Sequence, residues 1–316
     1  MTRNYDWLIQ GEHYVAQKYL HKPLLIDGLK FDLRIYFLIT GVWPLRCFIY
    51  KEGLARFATE LYQSPLGRNL SNLQMHLTNY AINKEAEGFQ QNKDATKDDE
   101  GHKRSLTSIF KYIDTHRDSK NGWPTSTALW QEIKDIFVKT ILSGIHEIEH
   151  IYKSSKPSDL DNSLCFQLLG ADIFLDSNCK PWLLEVNHSP SFATDSPLDF
   201  NIKKNMIRDT LHLLNLNQKR KQKCVHELRD ENERRLVQNQ RSKKDTVATA
   251  LRNKEREELR QQRLQQKDLF ETCNMGDFQN LYPLPRGICD EYDKKMDFYD
   301  NIYFKISKQA HQERNS

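Results

Sequence analysis

The chain has 316 residues, a formal net charge of +4 at pH 7 and a mean hydropathy of -0.76. This length allows roughly two domains, and no run of about 18 apolar residues occurs, which argues against a membrane span. The N-terminal stretch MTRNYDWLIQGEHY lacks the apolar segment of a secretory signal. Six scattered cysteines without a CxxC pair argue against a zinc site or a disulfide framework, so we expect a reducing, cytosolic setting.

Positive charge is concentrated in one segment of the chain. Residues 203–270 carry 19 Lys and Arg against 10 Asp and Glu, a net charge of +9, which leaves −5 for the remainder. A basic arm attached to a mildly acidic body predicts an anionic partner. At this level, nucleic acid, an acidic membrane and an acidic protein surface all remain open as that partner.

The first regular pattern along the chain predicts a β-hairpin. Alternation over Lys30–Ile39 predicts a strand whose apolar residues share one face, while Lys30, Asp32 and Arg34 share the other. A turn signal containing Gly and Pro follows, and the apolar run Leu45–Tyr50 is predicted to be the partner strand.

A polar loop and a long helix come next. Residues 84–105 have few apolar anchors, so we predict a mobile loop there. Apolar residues recur at helical spacing over Ser126–Lys153, which predicts an amphipathic helix. Either Ser126 or Thr127 is a suitable N-cap for this helix.

A second β-hairpin is predicted after the long helix. Leu164–Leu175 and Pro181–Val186 are both apolar with few breaks, and the turn residues Asp, Ser and Asn lie between them. A loop rich in Ser and Pro follows, and then a predicted helix over residues 200–216.

The last hundred residues differ from the rest in composition. Residues 217–270 contain neither Gly nor Pro and are dense in Lys, Arg, Glu and Gln, which predicts a long, solvated, basic helix. Their apolar positions are too sparse for a coiled-coil heptad. Residues 271–316 lack periodicity and are predicted to be a poorly ordered tail.

Three oxygen-bearing side chains are predicted to converge on the second hairpin. If that hairpin turns between Asn178 and Cys179, Asp172 lies directly opposite Glu185, and Asn187 faces the same side two residues later. Hard oxygen ligands of this kind suit Mg²⁺. The alternative is a pair of solvated edge residues with Asn187 capping a turn.

Two further groups of polar residues could line a pocket. Two cations flank a carboxylate on the strand face formed by Lys30, Asp32 and Arg34, and we favour an ion-pair lattice over a nucleotide phosphate site there. Arg56 and the sequence HLTNY at residues 76–80 predict either a substrate-binding loop or a local Asx or ST turn. The chain has no GxGxxG, P-loop lysine, HExxH or GxSxG motif, which removes the Rossmann, Walker, zincin and α/β-hydrolase interpretations.

Taken together, these segments resemble the tubulin–tyrosine ligase-like family, a group with the ATP-grasp fold. The resemblance spans about residues 14–216, and the EVNHSPSF segment is similar to the polyglutamylase branch. It implies an α/β (α+β) fold: the C-terminal portion of an ATP-grasp fold, with a mainly antiparallel sheet, flanking helices and a long basic helix after it. The matching stretches are QKYL at 17–20, PLLIDGLKFDLRIYFLIT at 23–40, EGLARFATELY at 52–62, HLTNYAINK at 76–84 and LLGADIFLDSNCKPWLLEVNHSPSF at 168–192.

The resemblance implies one group of residues that contact ATP. Residues 17–20 would pair with the adenine through backbone groups, Lys30 would contact the phosphates, and Asp32 would lie at the ribose side. The full group is Gln17, Lys18, Tyr19, Leu20, Lys30, Phe31, Asp32, Thr78 and Asn79.

A second group would serve the reaction itself. Asp172, Glu185 and Asn187 would hold two Mg²⁺ ions, and Arg34 would support phosphoryl transfer. Arg34, Arg56 and His188 would be the catalytic residues. The side chains that would bind the incoming glutamate are Arg56, Tyr80, Lys103 and His188.

The function implied by this resemblance is ATP-dependent addition of free L-glutamate, through isopeptide bonds, to glutamate side chains of tubulin tails. The reaction would pass through an acyl phosphate. Tubulin in microtubules would be the partner of a monomeric protein in the cytoplasm and cytoskeleton, including the cilium axoneme or basal body, with no nucleic acid and no membrane as partner. The alternative is a truncated, non-catalytic, microtubule-binding homologue.

The resemblance divides the chain into three parts. Residues 1–216 would be a partial ATP-grasp ligase core, residues 217–270 a basic helical segment that binds microtubules, and residues 271–316 a tail. The family's N-terminal domain and glycine-rich loop have no counterpart in this sequence. We therefore expect a nucleotide site that lacks the loop covering the phosphates.

Overall fold

The computed structural model describes residues 6, 8–117, 122–156, 159–216, 218–219, 221–222, 225–226, 229–230, 233, 246–287 and 290–315. The strands in this part of the chain are β1 (Leu25–Ile26), β2 (Leu29–Val42), β3 (Leu45–Leu61), β4 (Lys103–Ser105), β5 (Gln167–Leu175), β6 (Pro181–Asn187) and β7 (Phe278–Tyr282). The helices are α1 (Leu73–His76), α2 (Tyr80–Asn83), α3 (Leu106–His116), α4 (Ser126–Ser155), α5 (Pro197–Leu213), α6 (Thr246–Asn274) and α7 (Asp290–Asn315).

All the strands belong to one antiparallel sheet. Its spatial order is β4-β3-β2-β5-β6, while β1 pairs with β2 and β7 pairs with β3. Both predicted hairpins are present, and the mainly antiparallel α/β architecture confirms the predicted fold class. Because β5 follows β2 in space but not in sequence, the two hairpins join along β2 and β5 into a single continuous surface.

The hydrophobic core lies under one face of this sheet. Alternate residues of β2, including Phe31, Leu33 and Ile35, are buried against α3 and α4. Helix α4 contributes side chains at helical spacing, as predicted, but Thr125 is its N-cap, since the Thr125 hydroxyl accepts a hydrogen bond from the Ala128 amide. Burial of each large side chain contributes about 1.5–3 kcal/mol, so this face holds the fold together.

Helix α5 covers only part of the opposite face. Its residues Met206 and Leu213 pack with Tyr36, Leu38 and other apolar side chains at one end of β2 and β3. Ser196 caps the helix by accepting a hydrogen bond from the Asp199 amide, and a proline occupies its first turn. The other end of this face carries the polar residues of β2 and is the floor of the candidate site.

The C-terminal residues are structured, in contrast to the predicted tail. Strand β7 pairs with β3, and helix α7 packs against α4. The side chains of Met296 and Tyr299 join the main core, and the Tyr299 hydroxyl donates a hydrogen bond to Asp135 Oδ1 at 2.7 Å. Met296, Tyr299 and Tyr303 are three and four residues apart, a helical spacing that the surrounding acidic residues conceal.

The predicted basic helix is present as α6 over its second half, while most of residues 217–245 lie outside the described part of the chain. The prediction of a solvated helix is wrong for the last turns of α6, which pack against the sheet. They dock on the β2–β3 turn, where Arg260 lies 3.7 Å from the centre of the Trp43 ring. A set of polar residues, here called the anchor cluster, completes the joint: the buried Thr40, Arg46 and Glu271, the partly buried Lys267 and the exposed Asp268.

The joint uses basic residues of α6 that would otherwise face solvent. Lys267 Nζ donates to the carbonyl oxygen of Thr40 at 2.9 Å, and Arg263 pairs with Asp161 at 3.1 Å. Within the described ranges, no helix has both the length and the apolarity needed to cross a membrane.

Candidate active site

Two rows of charged residues cross the open face of the sheet. The first row runs from Lys103 on β4 through Arg56 on β3 to Asp32 on β2, and these residues are paired in register. The second row runs from Arg34 on β2 through Asp172 on β5 to Glu185 on β6, again in register. The predicted pairing of Asp172 with Glu185 is therefore confirmed. Five neighbouring strands contribute to one charged surface.

The centre of this surface is a continuous chain of ion pairs, here called the site cluster: Asp32, Arg34, Arg56 and Asp172. Arg56 Nη2 lies 2.6 Å from Asp32 Oδ2 and 2.8 Å from Asp172 Oδ2. Arg34 completes the chain, with its Nη2 donating to Asp172 Oδ2 at 3.0 Å. Two arginines and two carboxylates balance each other, so the buried cluster carries no net charge.

An ion-pair lattice is present here, but it is not the predicted lattice of Lys30, Asp32 and Arg34. Asp32 pairs with Arg56 across the hairpin and not with Lys30 or Arg34 along its own strand. Side chains two residues apart on a strand are about 7 Å apart, whereas directly opposed residues on neighbouring strands are about 5 Å apart. Gly170, opposite Asn187, leaves room for this arrangement, because a Cβ there would lie 3.2 Å from Arg34 Cδ.

Electrostatics favour the charged forms of Asp172 and Arg56. Burial alone would raise the pKa of Asp172, but the hydrogen bonds and charges of Arg34 and Arg56 lower it below its usual range. Burial works against the charge of Arg56, yet Asp32 and Asp172 together raise the pKa of its guanidinium. The cluster therefore presents fixed charges to whatever binds above it.

Lys30 occupies a separate pocket beside the site cluster. Its Nζ donates to the carbonyl oxygen of His76 at 2.7 Å and lies 4.4 Å from the centre of the Tyr19 ring. Burial lowers the pKa of Lys30 to about 8, although Asp32 counteracts part of this effect. A buried ammonium with so few anionic neighbours is suited to receive an anionic ligand.

Lys103 lies at the other end of the first row, in strand β4 and not in the mobile loop predicted over 84–105. Its Nζ is 2.7 Å from Asp199 Oδ2 and 3.5 Å from the centre of the Tyr80 ring. Asp195 lies within 4.0 Å of the same nitrogen. Sequence reasoning missed both aspartates, although SPLD at 196–199 has the pattern of a helix N-cap that would have located Asp199.

The predicted magnesium ligands are only partly together. Asn187 Nδ2 donates to Glu185 Oε1 at 3.1 Å, and Glu185 is exposed at the edge strand. Asp172, by contrast, is 2% exposed and engaged by Arg34 and Arg56. Among the described residues, no three His, Cys, Asp or Glu side chains form a group that could hold a metal.

The donor set is nevertheless chemically suited to Mg²⁺. Glu185 offers a carboxylate, Asn187 an amide oxygen, and the cation would share Asp172 with the two arginines. The site therefore fits a hard cation supported by an anionic ligand, and the number of ions stays a prediction.

The segment predicted to hold adenine lies next to this edge. Residues 17–20 form no regular element, and Gln17 Nε2 donates to the carbonyl oxygen of Leu184 at 3.3 Å. Lys18 is exposed, whereas Tyr19 and Leu20 are half-buried. The segment thus borders the same surface as Glu185.

Three other predicted residues have distinct positions. Thr78 donates its hydroxyl to Asp32 Oδ2 at 2.7 Å and so belongs to the site floor, while the neighbouring Asn79 is exposed at the start of α2. His188 is exposed just after β6, and no described contact joins it to Arg56 or Tyr80. Its backbone oxygen accepts a hydrogen bond from Gln167 at 2.5 Å.

The contact of Phe31 with ATP stays a prediction, and the structure limits it to the backbone of Phe31. Phe31 is 1% exposed and stacks on Phe57 with ring centres 5.0 Å apart, inside the core. Successive side chains of a strand point to opposite faces, so Phe31 lies on the side away from Lys30 and Asp32.

Comparison with known proteins identifies similar chains. The model of the tubulin-tyrosine ligase family matches residues 1–224. A probable beta-tubulin polyglutamylase of Tetrahymena thermophila is 43% identical over 303 residues, covering 96% of this chain and 24% of that protein. Tubulin polyglutamylases of Danio rerio and Homo sapiens are 39% and 41% identical over 314 and 287 residues.

The lengths of these relatives set the scope of the comparison. The alignments cover 99% and 90% of this chain but only 37% and 33% of the fish and human proteins. The chain thus spans between about a quarter and two fifths of the length of the curated relatives it matches.

Proposed function

Because the chain belongs to the tubulin-tyrosine ligase family over residues 1–224, we propose that it is an ATP- and magnesium-dependent ligase that joins glutamate to glutamate side chains of tubulin. One observation carries this proposal: the two in-register rows of charged residues that cross five strands beside the Lys30 pocket. The names of the similar proteins, all tubulin polyglutamylases, support the choice of substrate.

The proposed reaction needs anion binding more than it needs a protein nucleophile. A γ-carboxylate oxygen of the acceptor attacks the terminal phosphorus of ATP, and the bond between that phosphorus and ADP breaks. ADP leaves with the bonding electrons, and the acceptor carboxylate becomes an acyl phosphate. The amine of free glutamate then attacks the acyl carbon, inorganic phosphate leaves with its bonding electrons, and the amine loses a proton. Two anions must approach each other in the first step, and Lys30 and Arg34 would offset their repulsion.

The magnesium ligands would be Asp172, Glu185 and Asn187. When bound, Mg²⁺ neutralises triphosphate charge and polarises phosphoryl oxygens. Glu185 is the exposed carboxylate at this edge and is therefore the residue with the least competition from protein cations. Arg34 would orient the carboxylate of Asp172 through its two hydrogen bonds.

The other end of the first row would receive the incoming glutamate. Arg56 and Lys103 are paired in register, and Tyr80 lies against the Lys103 ammonium. Arginine can bind a carboxylate through two parallel hydrogen bonds. Asp195 and Asp199, both close to Lys103, would supply negative charge for the amine of the donor. His188 would reach this pocket only if the loop after β6 folds over it.

The basic segment would bring the enzyme to its acceptor. Residues 203–270 carry a net charge of +9, and tubulin tails rich in glutamate would attract them in a salt-dependent manner. Docking of the last turns of α6 on the sheet would keep the described part of this helix at a fixed place relative to the site.

A test of the proposal measures MgATP binding and glutamate incorporation with the same protein. Calorimetric titration should give saturable MgATP binding, and labelled glutamate should appear on microtubules in the presence of MgATP. Glu185→Gln should reduce incorporation about 100-fold, because an electrostatic contact to the developing charge is lost. Glu132→Gln, on the exposed side of α4, is the matched control and should retain the wild-type rate.

Two outcomes would contradict the proposal. Equal incorporation by wild type and Glu185→Gln would remove the metal assignment. Sedimentation with microtubules without any MgATP binding would instead favour the non-catalytic, microtubule-binding alternative.

A further inference from the structure

A buried histidine lies behind the Lys30 pocket, and the proposed function assigns no role to it. His76 is 0% exposed at the end of α1. Its Nε2 lies 3.1 Å from the carbonyl oxygen of Asn69, and its Nδ1 lies 3.1 Å from the hydroxyl of Tyr19. The same hydroxyl is 3.3 Å from Lys30 Nζ. His76 and Lys30 are therefore linked through one tyrosine oxygen.

The direction of each hydrogen bond in this chain follows from the chemistry of the groups. A carbonyl oxygen can only accept, so His76 Nε2 carries a proton and donates it to Asn69. Burial lowers the pKa of His76, and the neutral ring then has an unprotonated Nδ1 that can only accept. Tyr19 must donate to that nitrogen. A lysine ammonium can only donate, so Lys30 donates to a lone pair on the Tyr19 oxygen.

The remaining groups around Lys30 do not replace this contact. Asp32 interacts with Lys30 electrostatically, but its two oxygens accept from Arg56 and Thr78. Tyr62 packs edge-on against His76 and forms a hydrogen bond with the Tyr19 hydroxyl, while its own hydroxyl donates to the carbonyl oxygen of His21 at 2.8 Å. It is therefore a neighbour of Tyr19 and not a partner of Lys30. Phe174 offers only a ring, 5.6 Å from the ammonium. The Lys30 ammonium therefore donates hydrogen bonds to two oxygens in this pocket, the carbonyl oxygen of His76 and the hydroxyl oxygen of Tyr19.

We propose that His76 and Tyr19 are positioning residues: the neutral imidazole orients the Tyr19 hydroxyl so that its oxygen holds the Lys30 ammonium in place for an anionic phosphate. This inference rests on the proposed function for the identity of the ligand. It goes beyond that function because it assigns a task to two residues that do not themselves touch the transferred phosphoryl group. His76 acts twice, through its backbone oxygen on Lys30 and through its ring on Tyr19.

The test replaces Tyr19 by Phe, which keeps the ring beside Lys30 and removes only the hydroxyl. Competitive labelling with acetic anhydride over a pH series, read by mass spectrometry, measures the titration midpoint of Lys30 without any nucleotide. Tyr19→Phe should lower that midpoint by about one pH unit, the effect of losing a weak hydrogen bond to a charged group. His76→Gln should lower it in the same direction. Tyr292→Phe, which removes the hydroxyl of an exposed tyrosine on α7, is the matched control and should leave it unchanged.

MgATP titrations with the same proteins give the second measurement. If binding requires protonated Lys30, a midpoint lowered by one unit weakens binding about eightfold at pH 8.5 and less than twofold at pH 6.5. A merely structural defect would weaken binding equally at both pH values. Labelling midpoints that are identical in wild type and Tyr19→Phe, or shifted equally by Tyr292→Phe, would overturn the inference.

The two measurements separate this inference from the proposed function. Absence of MgATP binding by the wild type at every pH would contradict the proposed function alone. The labelling midpoint would still decide whether Tyr19 and His76 hold the Lys30 ammonium.

Discussion

Two buried ionic clusters lie on the same β2–β3 hairpin, and they differ in what surrounds them. In the anchor cluster, Glu271 accepts from Arg46 Nε at 2.5 Å and from the Thr40 hydroxyl at 2.8 Å, under the last turns of α6. In the site cluster, Arg34 and Arg56 share Asp172 at the open face of the sheet. Each cluster has a buried arginine–carboxylate pair at its centre, Arg46 with Glu271 in the anchor cluster and Arg56 with Asp172 in the site cluster.

The difference lies in the neighbours of each cluster. The anchor cluster is covered by α6, and its buried carboxylate, Glu271, is surrounded by the protein partners Arg46, Thr40 and Lys267. The site cluster is bordered by the exposed carboxylate of Glu185 and by the ammonium of Lys30. Burial of charge therefore does not by itself mark a functional site. A functional site is indicated instead by charged groups next to the cluster that can exchange a protein partner for a ligand.

The largest expected effect is a loss of stability on substitution of a buried residue in the anchor cluster. Glu271→Ala should lower the free energy of unfolding by about 3–5 kcal/mol, because Arg46 would remain buried without its main partner. Asp268→Asn should cost less, since the Asp268 side chain is 62% exposed. Urea unfolding measures both values, and MgATP affinity should be unchanged in both variants. A Glu271→Ala protein as stable as the wild type would show that the joint between α6 and the sheet is not a closed structural cluster.

Arg34→Ala should have the opposite profile. Asp172 keeps Arg56 as a partner, so the expected loss of stability is only about 1–2 kcal/mol. Glutamate incorporation should fall about 100-fold, the usual effect of removing one group that stabilises transition-state charge.

Arg34→Lys is the informative companion variant. It retains the charge but loses the two parallel hydrogen bonds to Asp172. A steady-state assay of both variants should therefore find little recovery with lysine. Full recovery would assign Arg34 a purely electrostatic role.

The pH dependence of ligand binding sharpens the comparison further. Burial lowers the pKa of Lys30 to about 8, so the ammonium loses its proton as the pH rises through this value. MgATP affinity should then fall, approaching tenfold per pH unit at higher pH. Because the pKa in the folded state is lower than the ordinary value of 10.5, the stability penalty from Lys30 is present below pH 8 and is relieved between about pH 8 and 10.5.

Calorimetric titrations at a series of pH values measure this dependence. Lys30→Arg, which stays charged throughout, is the control and should bind MgATP independently of pH in this range. The same pH dependence in Lys30→Arg would place the titrating group elsewhere.

The comparison also explains which parts of the site could be predicted from the sequence. Alternation along β2 placed Lys30, Asp32 and Arg34 on one face, which follows from local geometry. Hairpin counting also paired Asp172 with Glu185, but the pairs nearer the turn, such as Leu175 with Pro181, are offset by one residue, and a register shift between Asp172 and Ile173 restores the counted pair. The bond between Asp32 and Arg56 depends on the long β2–β3 register, which contains three irregularities. Local patterns do not carry that information.

Two other features lay beyond the reach of local patterns. Asp199 meets Lys103 across 96 residues, and the anchor cluster joins Arg46 to Glu271 across 225 residues. The sequence did not predict helix α7 because its apolar residues are few and become buried only when the helix packs on α4. Contacts of this range are decided by how the sheet and helices assemble.

The smallest expected effect concerns the rim of the anchor cluster. Arg263 pairs with Asp161 at 3.1 Å, and the side chains are 19% and 32% exposed. Arg263→Gln should lower stability by only about 0.5 kcal/mol, and the difference should vanish in about 1 M salt, because solvent and ions screen a pair near the surface. Glu271→Ala, the buried counterpart, should keep most of its effect at the same salt concentration. Urea unfolding at low and high salt tests the pair of variants, and an equal salt dependence for both would mean that the anchor cluster is no better shielded from solvent than its rim.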